Sequence, residues 1–165
     1  MPELQKIVQL FDDLQKGDCW IGLNMQDALA GVDAGTACNK RKESGNNIWQ
    51  LVNHLIYWRK TVMIRLSGKN ERPEMIDFYF PGNVSEALWE QTLAQLGEVS
   101  IALQNAINGF DESKLHTASP MEGQTYYQLL MRCLQHDAYH MGQVVILKKD
   151  REGILNIEQG ISNAD

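Results

Sequence analysis

The chain has 165 residues, 44% of them apolar and 22% charged, with a formal net charge of −6. That is one domain of ordinary size, long enough to bury a single core, with the composition of a soluble globular protein. The acidic balance weighs against a nucleic-acid or anionic-membrane surface, because both need a basic footprint.

No stretch approaches the roughly 18 apolar residues of a membrane span. The opening Met-Pro-Glu-Leu-Gln-Lys-Ile has no basic region followed by an apolar one, so the expected compartment is the cytoplasm. Cys19, Cys38 and Cys133 are odd in number and lack CxxC spacing, which predicts free thiols rather than a disulfide framework or a cysteine-rich zinc site.

Leu4, Ile7, Val8, Phe11 and Leu14 repeat at helical spacing and predict a first helix ending near Gly17. A short helix over 25–32 follows, broken by the glycines at 31 and 35, and then a polar loop through 39–45. Asn46 or Asn47 can cap the next helix. Ile48, Leu51, Val52, Leu55, Arg59, Val62 and Leu66 line one side of it, with Arg59 the only polar member, and Ser67-Gly68 ends it. His54 falls on the flank of that stripe, beside Leu51 and Trp58, where a helix meets its neighbour.

Residues 69–81 hold two prolines, several charges and Phe78-Tyr-Phe80, and read as a long connection with aromatic anchors. Asn83 has capping-box spacing to Glu86, with Ser85 a rival cap. Leu88, Leu96, Val99, Leu103, Ala106 and Ile107 carry a third long helix to about Gly109, followed by a second linker to Gly123. The fourth helix spans about 124–150 and is the most apolar, which predicts a place in the middle of the bundle. Residues 153–165 are weakly patterned and read as a tail on a single domain of 1–152. Four long amphipathic helices and no alternating strand pattern give an all-α four-helix bundle with long connections.

His136 and His140 lie four apart on the last helix, so their imidazoles point the same way. Buried without a partner, such nitrogens cost roughly 1–3 kcal/mol each, and one divalent ion satisfies both. His54 from a neighbouring helix makes a third ligand. Three protein ligands and an open position are the pattern of a catalytic metal site, whereas structural sites are closed by four.

Asp137 lies between the two apolar faces of the last helix, where a carboxylate needs a partner. It is placed either as acceptor for the far nitrogen of His54 or another ligand, or in a salt bridge to a lysine or arginine. Gln143 is a candidate to hold a water or a substrate oxygen at the metal, with packing at a helix seam as its alternative. Cys133 is read as a packed thiol rather than a fourth ligand. Tyr57, Trp58 and Tyr139 are candidate pocket walls, and His116 an exposed loop histidine.

Two blocks, Ile-Trp-Gln-Leu-Val-Asn-His-Leu-Ile-Tyr-Trp at 48–58 and Gln-His-Asp-Ala-Tyr-His-Met-Gly-Gln-Val-Val-Ile-Leu at 135–147, carry a resemblance. The chain resembles the DinB-like superfamily of metal-binding four-helix bundles, named for damage-inducible bacterial proteins, over about residues 3–150. The second block looks like the family's His-x3-His-x-Gly-Gln pattern. The resemblance implies a triad of His54, His136 and His140 on one divalent ion (zinc, nickel, iron or manganese) in an up-up-down-down bundle, commonly a homodimer. A last helix apolar nearly all round also predicts a two-fold partner, with Val145 and Ile146 as candidate contacts.

Relatives implied by the resemblance include thiol S-transferases that use bacillithiol or mycothiol and a thiol-dependent maleylpyruvate isomerase. The expected function is therefore that of a metal-dependent enzyme of small molecules, a transferase using a low-molecular-weight thiol or a hydrolase. The alternative is a non-catalytic metal-binding stress-response protein.

Overall fold

The computed structural model describes residues 1–40 and 45–162, with side chains described as far as Arg151. Part of the polar loop expected over 39–45, and the last residues of the expected tail, lie outside that range. The described residues form six α-helices: α1 (Glu3–Lys16), α2 (Met25–Leu29), α3 (Ala34–Cys38), α4 (Ile48–Leu66), α5 (Glu86–Asn108) and α6 (Tyr126–Ser162). A single 3-10 turn, Glu112–Lys114, lies between α5 and α6. Among the described residues there is no strand beyond an isolated bridge between Ala118 and Thr125. No described helix is long and apolar enough to cross a membrane.

The caps explain where the helices begin. Asn47 and Gln50 form a reciprocal capping box on α4: the Asn47 side chain accepts from the Gln50 N–H at 2.8 Å, and the Asn47 N–H donates back at 3.2 Å. Ser85, not Asn83, caps α5 by accepting from the Leu88 N–H. Asp33 caps α3, a helix that the glycine-rich pattern at 31–35 concealed. At the far end of α4, Gly68 takes the left-handed conformation (φ 88°), where a Cβ would be strained. The last helix runs on to Ser162, well past Asp150.

α1, α4, α5 and α6 make the bundle, and their contacts fix its directions. α1 and α5 are antiparallel: the Glu3 N–H reaches Glu112 beyond the end of α5, while Gln104 donates to Asp12. α4 and α5 are parallel, with Trp49 beside Trp89 near their starts and Leu66 clustered with Ile107 near their ends. α4 and α6 are antiparallel, since His54 meets His136 and His140 while Leu66 clusters with Leu129 and Leu130.

The order is up-down-down-up, which corrects the up-up-down-down order implied by the resemblance. Consecutive parallel helices need a connection that returns along the whole bundle, and residues 67–85 are that crossover. Between α1 and α4 the described residues 17–40 instead fold into α2 and α3 and close one end.

The central helix is also not the expected one. α4 is buried nearly all round, with only Gln50, Trp58, Lys60, Met63 and Ile64 half-buried. α6 buries one stripe, from Leu129 and Leu130 through Cys133, Asp137, His140 and Met141 to Val144, and leaves Ile146 exposed. Its even apolar pattern hid that asymmetry. The core has two parts. One centres on Trp49 and Trp89, whose indole N–H groups donate to Thr92 at 3.0 Å and to the Val32 carbonyl at 2.6 Å. The other gathers Phe11, Leu103, Ile107 and Leu130.

Candidate metal centre

His54 projects from the middle of α4 onto α6, where the spacing of His136 and His140 aims two imidazoles back at it. One nitrogen of each ring lies within 4.8 Å of the others. His54 Nε2 and His136 Nε2 are 3.0 Å apart. His54 and His140 are buried, while the His136 side chain is 27% exposed and is the open edge of the cluster.

Each ring has an oxygen on its other nitrogen. His54 Nδ1 lies 2.6 Å from Asp77 Oδ1, His140 Nδ1 lies 2.7 Å from Gln143 Oε1, and His136 Nδ1 lies 3.4 Å from Asp137 Oδ1. A carboxylate or amide oxygen can only accept, so Nδ1 carries the proton and Nε2 is left with its lone pair. At His54 and His136 two such lone pairs face each other at 3.0 Å, an arrangement that repels unless a cation or a proton lies between them. Three neutral imidazoles oriented by outer acceptors fit a divalent metal ion. They suit zinc, nickel or iron and do not choose among them.

Burial pushes His54 and His140 below the ordinary histidine range, against the raising effect of Asp77 on the first and Gln143 on the second. Neutral rings are the form a metal needs.

Asp77 went unrecognised in the sequence because it sits in the crossover rather than on a helix. Its carboxylate also accepts from the Phe78 N–H at 2.9 Å. Phe78 holds a positive φ of 52° and stacks on His54, with ring centroids 3.7 Å apart and planes 14° from parallel. The crossover is fastened to α4 by Asn53 Nδ2 donating to the Tyr79 carbonyl at 2.8 Å and Gln50 Nε2 donating to the Phe78 carbonyl at 3.3 Å. The Asp-Phe pair among the aromatic anchors was the one available signal.

Asp137 serves both of the roles weighed for it, though not with His54. Its Oδ2 accepts from Arg59 Nε at 2.8 Å, with the two side chains 0% and 2% exposed, while Oδ1 faces His136. Arg59, the polar residue in the α4 stripe, also donates to Gln15 on α1 at 2.8 Å. Gln143 orients His140 rather than facing the open side, and its amide N–H donates to the Tyr139 hydroxyl at 3.1 Å.

Tyr57 is buried against Trp58 and does not line the cavity beside the histidines; Trp58 does. Tyr139 is exposed, with its ring 5.0 Å from His140. Cys133 is buried and outside the ligand set, and burial drives its thiol well above the ordinary range, as suits a packing residue. His116 is exposed and pairs with Glu3 at 3.0 Å, remote from the triad in the fold.

A sequence model described as the DinB superfamily matches residues 24–144, well over half of the chain and all three histidines. The chain belongs to the DinB superfamily. Comparison with curated proteins and with solved structures finds no match. In this DinB-superfamily bundle the triad opens on a cavity of about 510 Å³ between α4 and α6, large enough for a small organic molecule.

Proposed function

We propose that this protein is a metal-dependent enzyme acting on small molecules, a transferase that uses a low-molecular-weight thiol or else a hydrolase. The observation that carries the reading is the convergence of three imidazoles, one nitrogen of each within 4.8 Å of the others and an oxygen beside each Nδ1, at the edge of a cavity. A divalent ion held there supplies Lewis acidity, lowering the pKa of a thiol or water to near 7 or below.

The chain's own residues do the rest. His54, His136 and His140 add no charge to the site, so the ion's positive charge stays available to an anionic nucleophile. Asp77, Asp137 and Gln143 fix the ring orientations. Phe78 covers His54 on one side, leaving His136 as the approach. The reading also places the protein in the cytoplasm as a homodimer. Three free cysteines support the first, and the exposed Ile146 on α6 supports the second.

The test is elemental analysis of protein purified without a metal-affinity tag, then a screen of small thiols with an electrophile. One divalent ion per chain and thiol-dependent product are expected. His136→Ala should lose the ion while helical circular dichroism is unchanged, because the core does not depend on that half-exposed ring. Bound metal with no turnover of any thiol or ester would favour the non-catalytic stress-response reading.

A further inference from the structure

α4 carries two buried arginines with opposite circumstances. Arg59 donates to Asp137 and to Gln15. Arg65 is 7% exposed, its side chain makes no hydrogen bond or ion pair to any described residue, and its Nε is buried without a partner. Burial, and the like charge of Arg72, push it below its ordinary value. A guanidinium with its Nε desolvated and no acidic partner favours a counter-charge.

The indole Nε1 of Trp58 is likewise buried without a partner. Both residues line the cavity onto which the triad opens. Trp58 joins the two regions: its ring centre is 6.1 Å from that of His54 and 5.9 Å from that of His136, with the Arg65 guanidinium carbon 5.6 Å on. Arg72 and Arg132 also line this space and no carboxylate does, in a chain whose net charge is −6.

We propose that this cavity binds the anionic end of the substrate, a small organic carboxylate held by Arg65 and Trp58 Nε1. A guanidinium grips a carboxylate through two parallel N–H donors. Val62, Leu129 and Met121 supply apolar wall for the organic body. The placing of the substrate's other end toward the histidines rests on the metal reading above; the anion site itself does not.

The experiment is calorimetric titration with benzoate, and with benzamide as its uncharged counterpart. Both are run on metal-loaded protein and on protein stripped with a chelator that is then dialysed away. Benzoate should bind in both states and benzamide in neither. Arg65→Met should weaken benzoate about ten- to a hundredfold, the loss of a charged hydrogen-bonding partner, with metal content unchanged. Because the Arg65 side chain has no hydrogen bond or ion pair to lose and only its contact over the Trp58 ring at 5.6 Å, that variant should melt close to the parent; should it fail to fold, Arg65→Lys must show weakened benzoate binding instead.

Benzoate binding that needs the metal and ignores Arg65→Met would put the anion on the metal and overturn the proposal, with the metal reading intact. Equal binding of benzamide would overturn it too. A chain that holds no metal yet binds benzoate through Arg65 would sink the metal reading and uphold this one.

Discussion

Asp77 orders the triad by holding His54 from the crossover. It is 34% exposed, so removing it leaves no hole in the core, yet it holds His54 at 2.6 Å. Asp77→Ala should therefore leave the melting temperature of metal-free protein nearly unchanged while lowering metal affinity about 10- to 100-fold, the usual effect of losing an outer partner. A competition titration with a coloured chelator reads this directly, and unchanged affinity would mean that Phe78 stacking alone orients the ring. His54 and His140 set a pH dependence of known sign. Their folded pKa values are depressed from 6.5, so the stability they contribute is present above that value and lost as pH falls through the folded values. Melting curves of metal-free protein should drop as pH is lowered below about 6.5, and the metal should leave over the same range.

At the scale of elements, the Arg59–Asp137 pair sets the register of α4 against α6 beside the site, and Gln15 draws in α1. Arg59→Ala strands a buried carboxylate and should cost about 3–5 kcal/mol, seen as a lower denaturant midpoint. Replacing both members, Arg59→Met with Asp137→Leu, should recover much of that loss. Metal affinity should still fall, because Asp137 also faces His136. A double variant as unstable as the single one would show that the cost lies in packing rather than charge. The arginine inside an apolar stripe and the aspartate between two apolar faces were each legible as anomalies. Their pairing was not, because residues 78 positions apart meet only through the antiparallel docking of two helices.

For the whole molecule, the crossover decides more than connectivity. By returning along the bundle from the end of α4 to the start of α5, residues 67–85 lay Asp77 and Phe78 on His54 and close one side of the triad. The open side faces the cavity between α4 and α6. The proposed homodimer predicts a sedimentation mass twice the 18.7 kDa of the chain at micromolar concentration. Ile146→Glu should shift it to the monomer without loss of helix, since that side chain is 53% exposed and adds nothing to the core. A dimer indifferent to Ile146→Glu would place the interface on another face.

The sequence by itself determined the helical class, the four long amphipathic segments and the three candidate ligands, because period and i, i+4 spacing are local properties of one helix. The same local logic assigned free thiols and an exposed His116. The directions of the helices, the central place of α4 rather than α6 and the partners of Asp137 were decided by tertiary structure, since each depends on which faces dock. So were Asp77 as the partner of His54 and the unpaired burial of Arg65. A connection's path is set by where its two helices end in space, and nothing local to residues 67–85 records that.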